Sequence, residues 1–195
     1  MRPKSLFAGL IFACLLPLAA VAQSITLQDG QALSAQFEQD RYLEGFNGAT
    51  RSAGEFYLLP EKGVAWRTIT PFASDLIVGE DNIRQMVQGQ QVMQVPVSQL
   101  PGADALHLIF AAVLQGDWDR LEREFSARRE PHEQGWKLTY VPPGRGPIRA
   151  IELTGADYIE TAEIFRRNGD RDVIRFTGHR IRPLREIRQV SRLFR

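Results

Sequence analysis

The 195-residue chain has one cysteine, Cys14, and three histidines, and its net charge is only +1. Each shortage removes a class of chemistry. Cys14 lies inside the apolar run LFAGLIFACLLPLAAV, which follows Arg2 and Lys4 and ends at the small-x-small site Ala20-Val21-Ala22. The run is shorter than the roughly 20 residues of a spanning helix, and Pro17 interrupts it. The residues after Cys14 stay apolar where a lipoprotein would turn polar. Residues 1–22 are therefore expected to be a cleaved secretory signal peptide and 23–195 one exported domain. Such a mature chain has no thiol, and so no disulfide, cysteine nucleophile or cysteine metal site. Two of the 24 basic residues leave with the signal and none of the 23 acidic ones, giving a charge of −1. That balance offers no electrostatic case for nucleic acid.

Catalytic signatures are also missing. There is no G-x-S-x-G elbow, no H-E-x-x-H zinc helix and no phosphate-binding glycine loop. His107 falls in an apolar helical stretch and reads as a buried or rim polar residue. His132, between Glu130 and Glu133, reads as part of a solvated charged loop before it reads as a metal ligand. His179 stands near the end. The carboxylates are scattered, with no acid/base couple. No catalytic residue, metal or cofactor is expected.

What the chain does have is alternation. In Ser52–Val78, SAGEFYLLPEKGVAWRTITPFASDLIV, three short runs follow one another with turns between them, including Gly63-x-x-Trp66 and Pro71. This is the pattern of an antiparallel meander. SAQFEQDRYL precedes it, with Glu44–Arg51 as a glycine-bearing loop, and NIRQMV and QQVMQV follow. Hairpin spacing argues for antiparallel neighbours, because parallel pairs need long crossovers. The pattern breaks at ADALHLIFAAVLQGDWDRLE, where Leu106, Ile109, Phe110 and Val113 keep helical spacing within a segment apolar all round, as in a helix buried on both sides. Strands then resume at EFSAR, GWKLTYV, RAIELT, YIETAEIF and DVIRF. The tail HRIRPLREIRQVSRLFR holds six arginines against Glu186. Leu184, Ile187, Val190 or Ser191, and Phe194 align on one helix face, which would lie on a membrane or partner or dock on the protein's own sheet.

The apolar residues exceed what a sheet packed only on itself needs. Phe37, Phe56, Leu58, Trp66, Ile77, Met86, Met93, Trp136, Leu138 and Phe176 are the candidates. They fit an ordinary core or the lining of a hydrophobic ligand cavity, and methionine suits a deformable lining.

The ordered set Phe37-x-Gln39, Gly54-Glu55-Phe56, Trp66 with Pro71, Leu76-Ile77-Val78, Gly116-Asp117-Trp118, Gly135-Trp136-Lys137-Leu138 and Phe176 resembles the periplasmic outer-membrane lipoprotein carrier (LolA-like) family. Leu59-Pro60 stands where well-known members carry Arg-Pro, and little chain precedes Phe37 for an N-terminal amphipathic helix, as in a divergent branch. The resemblance implies an α+β, mainly β fold: a single curved antiparallel sheet forming an unclosed barrel with a helical lid inserted mid-chain. The ten apolar residues above would line an acyl-binding cavity, with Leu106, Ile109, Phe110 and Val113 as the lid's inner face. The implied function is a non-catalytic, monomeric periplasmic carrier. It would take an acylated lipoprotein or lipid from an inner-membrane exporter to an outer-membrane acceptor, with at most transient membrane contact. The competing expectation is a periplasmic lipoprotein- or lipid-sensing regulatory module acting through a protein partner.

Overall fold

A computed structural model describes residues 27–60, 62–99, 123, 127–133, 135–142 and 144–194. Eleven strands run in chain order: β1 (Gln31–Tyr42), β2 (Ala49–Leu59), β3 (Gly63–Thr70), β4 (Ser74–Val78), β5 (Asn82–Val87), β6 (Gln90–Pro96), β7 (Arg128–His132), β8 (Gly135–Tyr140), β9 (Ile148–Gly155), β10 (Ile159–Arg166) and β11 (Arg171–Pro183). A short helix, α1 (Arg188–Arg192), follows. All eleven strands form one antiparallel sheet in the order β6-β5-β4-β3-β2-β1-β11-β10-β9-β8-β7. β6 and β7 are the two edges, so the sheet is not closed into a barrel. The chain between them, which includes the expected lid, joins opposite edges.

The meander β1–β6 forms from alternating runs joined by tight turns, such as Gln88-Gly89 between β5 and β6, where both residues have positive φ. Two glycines of the motifs, Gly54 and Gly63, have a steric cause. A side chain at Gly54 would put its Cβ 1.9 Å from the Arg67 carbonyl oxygen, and one at Gly63 (φ +116°) 2.0 Å from that of Val78. Neighbouring backbone comes too close at both places for any residue but glycine.

Three expectations change. Of the strand expected at EFSAR (124–128) only Ala127 and Arg128 are among the described residues; β7 runs from Arg128 to His132, so His132 is in a strand and not a loop. β7 holds Pro131, which an edge strand tolerates because one row of its backbone groups has no ladder partner. The strand DVIRF continues to Pro183 as β11, because Gln31–Ser34 of β1 supply partners for Arg180–Pro183. The helix expected in the tail shrinks to Arg188–Arg192 for the same reason. The calls on residues 1–22, on His107 and on Leu106, Ile109, Phe110 and Val113 fall outside the described residues.

Candidate ligand-binding face

Side chains alternate across a strand, so the pairing register assigns each residue to one of two faces. From Trp66 on β3 the register runs to Phe56 on β2, to Ala35 and Phe37 on β1, and to Phe176 on β11. Ala162, Leu153 and Leu138 follow on β10, β9 and β8. These residues belong to one cluster with Leu33, Leu58, Trp136, Tyr140, Ile151 and Ile174, and most are under 6% exposed. Strands lie about 4.8 Å apart, so three strand steps would separate side chains by about 14 Å in a flat sheet. Yet the rings of Trp66 and Phe176, three steps apart, have centroids 5.7 Å apart. Phe37–Trp66 (4.5 Å) and Phe56–Phe176 (5.5 Å), two steps apart, are equally close. The sheet therefore curls around this face, and the four rings meet mostly edge to face, the arrangement aromatic quadrupoles favour. Trp136 is fixed at the far side, its indole N–H donating to the Ala156 carbonyl at 2.7 Å.

The opposite face is different. Ala32, Tyr57, Leu59 and Ala65 form a second cluster with Ile187 and Val190, and with the half-buried Leu184, Leu193 and Phe194. The tail therefore docks on its own sheet. Val190 enters this cluster, whereas Ser191 accepts a hydrogen bond from the Lys62 ammonium at 3.1 Å. The Arg84 guanidinium donates to the Leu193 carbonyl. Away from the tail this face carries ion pairs: Asp40 with Arg51 (2.9 Å) and Arg175 (2.8 Å), Arg67 with Asp75 (3.0 Å) and Lys137 with Glu152 (2.9 Å).

Of the ten expected lining residues, Phe37, Phe56, Leu58, Trp66, Trp136, Leu138 and Phe176 share the curled face. Met93 joins them by register, opposite Gln85, which faces Leu76 and through it Trp66. Ile77 and Met86 do not. Ile77 pairs with Ala65, and Met86 with Asp75, which pairs with Arg67, so both lie on the tail's face. The run Leu76-Ile77-Val78 is apolar at every position, and only its partners in β3 fix which residue points inward. Leu33, Tyr140, Ile151, Leu153 and Ile174 belong to the curled face as well; alternation within their strands was the signal that could have found them.

At one end this face ends in charge. Asp172 is 1% exposed. It accepts hydrogen bonds from Arg41 (2.6 Å), Gln39 (2.8 Å) and Arg166 (2.8 Å). Burial pushes its carboxyl up, but the hydrogen bonds from Arg41, Arg166 and Gln39 outweigh burial and hold it below the ordinary carboxylate range. Arg41, Arg166 and Arg167 line a hollow of about 480 Å³ with Arg145, Asp170, Leu43 and the loop Gly146-Pro147. Other hollows lie near Lys62 and Phe194 and near Leu27 and Leu184. The sequence carried no signal for the arginine set, because its members come from three separate segments. No cluster of metal ligands occurs among the described residues.

No family model matches the chain, and no curated protein matches it. Solved structures to which it is similar include a LolA superfamily protein from Nitrosomonas europaea, at 8% identity and TM-score 0.41, covering 80% of this chain and 88% of that one. MucB in complex with MucA(peri) is similar at 13% identity and TM-score 0.37, covering 78% of this chain and 50% of MucB. The Pseudomonas aeruginosa MucA/MucB complex is similar at 14% identity and TM-score 0.34, covering 77% and 52%. The chain thus spans about half the length of MucB. The first of these structures bears the family name to which the motif order pointed; at such scores the likeness says nothing of ligand or partner.

Proposed function

We propose that the protein is a periplasmic, non-catalytic lipid-binding carrier that holds acyl chains against the curled apolar face. The observation that carries this reading is the extent of that face: seven adjacent strands, from β3 to β8, present apolar side chains on one side. The sequence resemblance points the same way. A buried CH₂ is worth about 0.8 kcal/mol, so an acyl chain of about 16 carbons needs apolar contact on the order of 12 kcal/mol to leave a membrane. Phe37, Phe56, Trp66 and Phe176 offer that contact, and a ring quartet can open and reclose as cargo enters and leaves. Met93, Trp136, Leu58 and Leu138 extend it. In this reading Leu106, Ile109, Phe110 and Val113 cover the bound chain, the donor is an inner-membrane exporter, and the acceptor lies at the outer membrane. The cargo is an acylated lipoprotein or lipid.

The test is native mass spectrometry of the full chain recovered from the periplasm. Acyl-lipid adducts are expected, and they should be lost in Trp66→Asp and Ile109→Asp proteins that remain folded. Adducts of equal abundance in both variants would contradict the proposal. If the chain instead works as a regulatory module, a protein partner will co-purify and Arg188→Glu will release it without changing lipid content.

A further inference from the structure

Arg41 and Asp172 lie on the curled face, because they pair with each other across β1 and β11 at the second inward register position beyond Phe37 and Phe176. The arginine hollow is therefore continuous with the end of the apolar lining. Its four guanidiniums are held differently. Arg41 and Arg166 share the buried Asp172, which fixes their direction without exposing a carboxylate to the hollow. Arg167 is clamped by the Gly146 and Gly144 carbonyls, at 2.9 and 2.8 Å, which neutralise none of its charge. Arg145 makes no hydrogen bond or ion pair with any described residue. Among the carboxylates, Asp170 accepts from the Glu44 backbone N–H (3.0 Å) and the Asn168 amide (2.9 Å), and the Glu44 side chain packs beside Gly169. The four arginines outnumber Asp170, Asp172 and Glu44 by one. Leu43 in the lining is an exposed apolar side chain, and Phe46 (74% exposed) follows it in the β1–β2 turn.

We propose that this hollow is a binding site for the oxyanion headgroup of an acyl lipid, phosphate in the first place, with the lipid's chains running from it onto the curled face. The inference rests on the acyl-binding function proposed above and gives it a substrate class: anionic over zwitterionic lipids. Guanidinium is suited to the task because its planar fork meets phosphate or carboxylate with two parallel hydrogen bonds. Three of the four forks are already oriented by Asp172 or by backbone, so little side-chain freedom is lost on binding. Arg145 is the one free to close on the ligand.

The experiment is titration calorimetry of the full chain at low salt with dioctanoyl phosphatidylglycerol, dioctanoyl phosphatidylcholine, inorganic phosphate and an uncharged fluorescent acyl probe. The phosphatidylglycerol is expected to bind at least about tenfold more tightly than the phosphatidylcholine, because both offer a phosphate but the choline cation of the second is repelled by the arginines. Arg145→Glu should abolish that preference, Arg145→Lys should keep part of it, and both should bind the uncharged probe as the parent does. Equal affinity for the two lipids, or a preference that survives Arg145→Glu, overturns the proposal. Inorganic phosphate bound as tightly as the lipid overturns it too, since the hollow would then be a free-anion site. If neither lipid nor probe binds, the acyl-binding function fails on its own. The arginine site is then decided by phosphate: binding that Arg145→Glu removes retains an oxyanion site, and no binding removes it.

Discussion

The two faces of the sheet are made by the same strands, one residue apart, yet they are built on different rules. The curled face is apolar across seven neighbouring strands and gathers four aromatic rings at its centre. The other face has its apolar cluster under the tail and carries ion pairs such as Asp40 with Arg51 and Arg175. On that second face Ile187 and Val190 lie over Ala32, Tyr57, Leu59 and Ala65. A solvated sheet face needs no more than that, because exposed ion pairs sit comfortably in water and contribute little to stability. The apolar surplus of this sequence is thus partitioned between the two faces. A modest share anchors the tail, and the larger share, on the curled face, is what a lipid-binding function would use.

The comparison can be broken from either side. Phe176 touches both Phe56 and Trp66, so Phe176→Ala should cost about 3–5 kcal/mol in urea unfolding and also weaken acyl binding. A variant that loses stability but binds lipid unchanged would show the ring quartet to be core and nothing more. Ile187→Ala opens a gap on the tail's face, and should cost about 2–3 kcal/mol while leaving acyl affinity where it was. Loss of lipid binding there would mean that the two faces are coupled. The smallest effect is acidic. Asp172, on the curled face, and Asp40, on the other, are both held below the usual carboxylate range; Asp40 owes this first to Arg175 and then to Arg51. A depressed carboxyl contributes stability that is present above its unfolded value, near pH 3.9, and is lost as pH falls through the folded value. Arg51 is 73% exposed and Arg175 51%, against 47% for Arg41 and 30% for Arg166, so salt should screen the Asp40 pairs more than those of Asp172. In acid titrations at high salt, Asp172→Asn should flatten the stability loss and Asp40→Asn should change it little.

Much of the fold is legible in the sequence because strand alternation is a local property. The runs VAWRTI, DLIV and NIRQMV fall within or coincide with β3, β4 and β5, and GWKLTYV runs one residue past β8. What is not local is harder to read. Ile77 and Met86 lie on the tail's face for non-local reasons: the apolar run Leu76-Ile77-Val78 gives no parity until its partner strand is known, and the side Met86 takes follows from the pairing of Asp75 with Arg67. The stretch HRIRP has a strand period and a helix-compatible charge pattern together, and only pairing with Gln31–Ser34 decides between them. The choice between Val190 and Ser191 likewise depended on where the tail lands. The arginine hollow was invisible for a further reason: Arg41, Arg145, Arg166 and Arg167 meet only after β1, β9, β10 and β11 are side by side.

Trp66 offers the most direct measurement of whether acyl chains occupy the curled face, since its ring lies against Phe37, Phe56 and Phe176. In a protein with Trp118→Phe and Trp136→Phe, fluorescence comes from Trp66 alone, and bromine on an acyl chain quenches only an indole it touches. Titration with a brominated acyl lipid should quench Trp66 strongly and saturably, and the unbrominated lipid should reverse it by competition. Trp66 emission that stays unchanged while the lipid binds would place the chains elsewhere and contradict the account.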